Sequence, residues 1–265
     1  MQFNNYNAIK ITNHSSNKID DAIVIEAPLQ ININNKPYTV VMRTPGDDLQ
    51  LSLGLLYAED IYKNSETPKH ILTVEDDYAG VINFNIDQQL LGKGYLNKRT
   101  LLSVSSCGIC GKTELDHIAI KGNKLANTFR LNQNLVSGLF AKMQKHQDTF
   151  KITGGSHACA IFNTDKDLVI LKEDIGRHNA VDKCIGELLT QNQLSEAQIM
   201  LVSGRVSYEI ISKAFFAKIS IIIAVSACSS LAIDYAKEFG ICLIGFSRNH
   251  KMTIYANPQY INYEY

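Results

Sequence analysis

The stretch "QIMLVSGRVSYEIISKAFFAKISIIIAVSACSSLAIDYAKEFGICLIGF", Gln198 to Phe246, decides the fold. Gln198–Val202, Ile219–Val225 and Ile241–Phe246 are near-continuous apolar runs of strand length, as expected of strands covered on both faces. Between them, Ser207–Lys218 and Ser229–Phe239 have helical length and apolar spacing. Strands alternating with helices predict an α/β domain with a mainly parallel sheet. Upstream, a strand (Leu168–Lys172) and a helix (His178–Leu189) extend the pattern. "HACAIFN" and "DLVILKE" are joined by "NTDK", a hairpin signal. Downstream, "KMTIYAN" reads as a last strand at a sheet edge.

The N-terminal third reads differently. "DAIVIEAPLQININNKPYTVVMRTP" holds two or three short strands with "NNKP" as a turn, and "GVINFNID" alternates like another. "GDDLQLSLGLLYAED" reads as a helix capped by Asp47 or Asp48, with Leu49, Leu53 and Leu56 at helical spacing. Asn132–His146 reads as a further helix. We divide the chain into a smaller N-terminal α+β region, 1–105, and an α/β/α domain, 106–265, that opens with a cysteine loop.

Composition bounds the function. The 265 residues carry zero formal net charge, which disfavours general binding to nucleic acid or to an anionic membrane. The start, "MQFNNYNAIKITNHSS", lacks a basic segment followed by an apolar one, and no apolar run approaches membrane-span length. A cytoplasmic location is the expectation. Six cysteines then argue less for disulfides than for buried or reactive thiols. Cys184, on a helix's apolar face, and Cys242, in an apolar strand, read as core residues.

In an open α/β sheet, ligands bind beyond the carboxyl ends of the strands. The turns there read "EDIGRHN", "SGRVS", "SACSS" and "GFSRNHK". Helix N-termini and Arg177, Arg205 and Arg248 on one rim predict a crevice for a phosphorylated or nucleotide-like ligand. Capping and ion pairing explain any one of these positions alone: Ser207 and Ser229 as N-caps, Arg177 paired with Asp174 or Glu173, His178 in a local hydrogen bond. "TGGSHACA", Thr153–Ala160, is another small-residue loop, from which His157 could face the crevice. Arg43, in "RTPGDD", could face a ligand as well.

"SVSSCGICGK", Ser103–Lys112, places Cys107 and Cys110 between glycines. Structural zinc needs four ligands, and a single CxxC without histidines at ligand spacing does not supply them, so no metal is expected. The zinc deaminase pattern also fails, because His157-Ala158-Cys159 lacks the glutamate. Thiol–disulfide redox work is chemically easy for the pair. Sulfur or acyl carriage suits a reachable thiol beside an anion crevice, with Cys107 as carrier and Cys110 as auxiliary or resolving thiol.

Several motifs together, in order, resemble the FdhD family of sulfur carriers needed for active formate dehydrogenase. They are "RTPGDDLQLSLGLLYAEDI", "SSCGICGK", "TGGSHACA", "EDIGRHNAVDKCIG", "SGRVSYEIISKAFFAKI", "SACSSLAIDYAKEFG" and "LIGFSRNHKMTIYANP". The resemblance covers roughly Arg43 to Pro258. It implies a cytidine deaminase-like three-layer α/β/α domain and a homodimer. It also implies sulfur received as a persulfide on Cys107 from a cysteine desulfurase, with Cys110 as the second cysteine. Delivery would be to a molybdenum or tungsten cofactor carrying two molybdopterin guanine dinucleotides, before that cofactor enters formate dehydrogenase. Phe246, Ser247, Arg248, Asn249, His250 and Lys251 match the cofactor-binding segment, with Arg177, His178 and Arg205 added from the strand-end reading. A GDP- or GMP-like nucleotide would fit the same place. Cys228, where the family usually has proline, and Cys159, where it usually has alanine, depart from the pattern. A redox protein and a cofactor-binding chaperone without thiol chemistry are the alternatives.

Overall fold

The computed structural model describes residues 2–96, 123–126, 129–248 and 250–263. Cys107, Cys110, Asn249 and the 105/106 division lie outside them. The chain opens with a ribbon, β1 (Phe3–Ile11) and β2 (Ser16–Val24), antiparallel along its whole length. A second sheet takes β3 (Ala27–Ile33) and β4 (Lys36–Arg43), then helix α1 (Asp48–Ala58), β5 (Lys69–Val74) and β6 (Gly80–Asn85). Its order is β4-β3-β6-β5. Asn34 and Asn35, with φ of 51° and 62°, make the two-residue turn between β3 and β4, a geometry that matches strand twist.

The larger unit follows: β7 (Leu131–Asn132), α2 (Val136–Lys145), α3 (Asp148–Thr153), β8 (His157–Phe162), β9 (Leu168–Asp174) and α4 (Arg177–Thr190). The alternation continues with β10 (Ile199–Val202), α5 (Tyr208–Phe216), β11 (Ile221–Ala224), α6 (Ser230–Phe239), β12 (Cys242–Arg248), β13 (Lys251–Ala256) and β14 (Ile261–Asn262). The six-stranded sheet runs β13-β12-β11-β10-β8-β9. β10, β11 and β12 pair in parallel, while β8 runs against both β10 and β9. Four of the six strands thus point the same way, although only two of the five ladders are parallel. The expected hairpin inserted β8 between β9 and β10 and made the sheet mixed. The closing edge strand, β13, is where the sequence placed it.

Alternation along each strand divides the core in two. Cys159, Ile161, Met200, Val202, Ile222 and Leu243 meet α4, α5 and α6 on one face. Ala160, Phe162, Ile199, Leu201, Ile223 and Ile244 meet α2 on the other. Helices therefore cover both faces, as the apolar runs require. Cys184 and Cys242 are fully buried, as read. The helix expected over Asn132–His146 begins with a 3-10 turn at Gln133–Leu135.

α1 is buried nearly all round, because it lies between the N-terminal sheet and α4. Glycine makes the second contact possible. A Cβ on Gly54 would sit 2.0 Å from the Asp182 carbonyl oxygen, and one on Gly186 would sit 1.8 Å from that of Gln50. The two backbones touch, so neither glycine tolerates a side chain without the helices parting. Gly54→Ala and Gly186→Ala are each expected to cost at least about 2 kcal/mol, the range of forced overpacking. Urea denaturation monitored by circular dichroism measures this, and alanine at the open position Gly138, where a Cβ meets nothing within 4 Å, is the control.

Candidate functional site

The carboxyl ends of β9, β10, β11 and β12 lie on one edge of the large sheet, and antiparallel β8 starts there. The rim therefore gathers the turns that follow four strands, plus the "TGGSH" loop. This is why His157 joins a site otherwise built from strand ends.

Beneath the rim is a buried polar hub. Asp174 ends β9 and is fully buried, as is Lys183 of α4. One Asp174 carboxylate oxygen accepts from Lys183 Nζ at 2.8 Å and from the Thr44 amide at 3.1 Å. The other accepts from the Gly176 amide and from Asn179 Nδ2, both at 2.8 Å. Lys183 also donates to the Thr44 carbonyl, Asn179 to the Met42 carbonyl, and the Ile175 amide to Thr44 Oγ1. "RTP" of the N-terminal unit is thereby locked to the turn that carries Arg177 and His178. The neighbouring carboxylate, Glu173, accepts from the Thr149 and Phe150 amides and from Ser156 Oγ, capping α3 from outside its own helix.

Lys183 and Asn179 bond Asp174, and the first turn of α3 bonds Glu173. Arg43 does not face a ligand. It is fully buried and forks onto Asp48 at 2.8 and 3.0 Å, with further bonds to the Ala27 and Tyr78 carbonyls. The α1 cap also differs: Asp47 is the N-cap residue but makes no side-chain cap bond, and its carboxylate pairs with Lys172 at 2.8 Å.

On the rim itself, Gly204 is the floor. A Cβ there would lie 3.1 Å from Arg177 Cδ and 3.4 Å from His157 Cε1, so the arginine stem and the imidazole meet over it. His157 is half-buried, with Nδ1 3.3 Å from Ser203 Oγ. The same hydroxyl accepts from the Ala158 amide at 2.9 Å. Burial lowers the His157 pKa, and the charge of Arg177 pushes the same way; Asp174 pulls it back up, and Arg205 adds a smaller downward push. Arg205 is exposed and has no ion-pair partner among the described residues.

His178 does not point into this cluster. Its Nε2 lies 2.9 Å from Ser207 Oγ and 3.1 Å from Glu209 Oε2. Ser207 is the N-cap residue of α5 but makes no side-chain cap bond, because its hydroxyl is engaged with His178. Ser229 does cap α6, accepting from the Ala232 amide at 3.2 Å. Phe246–Arg248 and His250–Lys251 leave the rim on the β12–β13 hairpin. Phe246 is exposed with φ of 51°, and its amide bonds the Ser226 carbonyl at the end of β11. Ser247 is buried, while Arg248, His250 and Lys251 are exposed beyond it. Cys228 sits by Gly245, where a Cβ would come within 3.0 Å of its sulfur, and burial pushes its thiol up to about 11.

A mixed α/β protein with a basic, glycine-floored rim at its strand ends is the class these features define. The FdhD/NarQ family profile matches residues 24–262, and the chain belongs to that family. It is 40% identical over 250 residues to sulfur carrier protein FdhD of Picrophilus torridus, covering 92% of this chain and 93% of that one. The Sulfolobus acidocaldarius sulfur carrier protein FdhD is 38% identical over 244 residues, 92% of each chain. That of Streptomyces avermitilis is 36% identical over 263 residues, 96% of this chain and 93% of its own. The fold is shared with the crystal structure of a Desulfotalea psychrophila protein described as a candidate formate dehydrogenase accessory protein. The TM-score is 0.78 at 21% identity, over 99% of this chain and 100% of that one.

The sequence reading missed the hub. Its one available signal is Lys183 at an inward position of α4, between Ala180 and Cys184. Lys183→Met would leave the Asp174 carboxylate buried without its cation. The expected loss is about 3–5 kcal/mol, against under about 1 kcal/mol for Lys151→Met in the exposed Lys151–Asp148 pair. Chemical denaturation of the two variants measures the difference.

Proposed function

We propose that this chain is a sulfur carrier. It accepts sulfur from a cysteine desulfurase as a persulfide on Cys107. It then delivers that sulfur to a molybdenum or tungsten cofactor bearing two molybdopterin guanine dinucleotides, destined for formate dehydrogenase. The names of its relatives support this reading, and so do the motifs around Cys107. One structural observation carries it furthest. Each cysteine among the described residues is unsuited to the chemistry: Cys159, Cys184 and Cys242 are sealed in the core, and the Cys228 thiol stays protonated at neutral pH. The nucleophile this reading needs is left to Cys107 and Cys110.

The chemistry balances as follows. Cys107 thiolate attacks the outer sulfur of the desulfurase persulfide, a Cys107 S–S bond forms, and the desulfurase cysteine leaves as thiolate. Release of that sulfur as sulfide needs two electrons. Cys110 thiolate attacking the inner sulfur supplies them, closing a Cys107–Cys110 disulfide that a cellular thiol later reduces. The cofactor is substrate here. Its phosphates suit the rim, where Arg205 is exposed with no ion-pair partner among the described residues and Arg177 packs beside His157 over Gly204. The exposed Arg248, His250 and Lys251 extend the same basic surface along the hairpin. Homodimerisation and a cytoplasmic setting belong to the same proposal. Among the described residues no helix is long and apolar enough to cross a membrane.

Incubation with a cysteine desulfurase and cysteine, then peptide mass mapping, tests the reading. One added sulfur on the Cys107 peptide, absent in Cys107→Ser, is expected. Equal loading of Cys107→Ser, or a cycling disulfide with no persulfide, overturns it. In cells, Cys107→Ser is expected to abolish formate dehydrogenase activity while the protein remains folded.

A further inference from the structure

His157 lies outside the segment 246–251 that the family motif marks, yet its ring meets Arg177 over Gly204. The charged groups acting on it come from three elements: Asp174 at the end of β9, Arg177 at the start of α4, and Arg205 after β10. Asp174 is paired with Lys183, yet its charge still favours a proton on the ring. Nε2 of His157 makes no hydrogen bond among the described residues, while Nδ1 faces the Ser203 hydroxyl. That hydroxyl suits either state of the ring. It can donate to Nδ1 of the neutral imidazole, or accept from Nδ1–H of the imidazolium through its second lone pair, keeping the Ala158 bond throughout.

We propose that His157 is a proton-linked ligand contact: when a phosphate-bearing anion settles beside Arg177 and Arg205, the ring takes one proton from solvent and binds the anion as imidazolium. This rests on the reading of the rim as the site of the cofactor's phosphates. The electrostatics give the direction. In the ligand-free protein, burial and two guanidinium groups oppose a positive charge on the ring. A bound phosphate cancels the field of both arginines and adds an attraction of its own. The charged form becomes favourable only with the ligand present, so binding consumes a proton and tightens as pH falls.

GDP is the probe. Calorimetry in buffers of different ionisation enthalpy should show net proton uptake by the wild-type chain near neutral pH. Affinity should rise roughly tenfold from about pH 8 to about pH 6. His157→Gln should still bind GDP at about pH 8 but lose the His-dependent share of the uptake and flatten the pH profile. A profile and uptake unchanged in His157→Gln would overturn the role of His157 while leaving the rim as the GDP site. Absence of GDP binding by the wild-type chain would overturn the rim reading and the inference with it. Should the variant not fold, NMR titration of the wild-type His157 ring decides: a pKa raised by GDP supports the proposal, and an unmoved one ends it.

Discussion

The structure depends on one buried contact, the Asp174 carboxylate with Lys183 and Thr44. Four donors converge on that carboxylate from three places: β9's own following turn, the interior of α4, and the "RTP" segment of the N-terminal unit. A buried ion pair adds little net stability over an apolar filling of the same shape. Its effect is on uniqueness, since any shift of one unit against the other strands a charge in the core. The glycine contact between α1 and α4 works alongside it. Gly54 and Gly186 let the helices approach until their backbones touch, and the hub allows only the arrangement in which every donor is met. The start of α4, with Arg177 on the rim and His178 toward α5, inherits its position from that lock.

How much was legible follows from which interactions are local. The βαβ alternation from Gln198 to Phe246 was readable because each strand is buried on both faces and each helix shows its own period. The same holds for the β8–β9 hairpin and the β13 edge. The insertion of β8 between β9 and β10 was not readable, since strand order depends on long-range pairing that no local pattern encodes. Capping illustrates the same limit at one residue. Ser207 and Ser229 look alike in sequence, yet only Ser229 caps its helix, because His178 is close enough to hold the Ser207 hydroxyl. Asp47 and Arg43 likewise went to Lys172 and Asp48, partners fixed by tertiary packing or by the tight turn between them.

The residues read as one rim fall into separate groups in the structure. Brought together are Arg177, Arg205, Gly204 and His157. His178 bonds the start of α5, while Phe246, Ser247, Arg248, His250 and Lys251 lie on the β12–β13 hairpin, with Ser247 buried. A small change in direction at a strand end separates these cases. β12 continues past its partners to Arg248, whereas β10 and β11 stop at Val202 and Ala224, where their turns can fold back over the sheet.

The flanks of 97–122 set the geometric problem that sulfur delivery must solve. On one side, Gly92 and Gly94 bond the Ile61 and Asp60 carbonyls, while Tyr57 and Lys63 lie against Phe216, the last residue of α5. On the other, the Leu125 amide bonds Phe239, the last residue of α6. Both helices begin at the rim, so both flanks emerge at the opposite edge of the sheet. The strands between the edges are short: the four residues of β10 rise about 13 Å. Cys107 follows Leu96 by eleven residues, a length of chain that spans at most about 36–40 Å. The distance between the two edges is thus within the covalent reach of Cys107. If the chain carries sulfur as proposed, that length lets one thiol serve encounters at either edge, where neither partner obstructs the other.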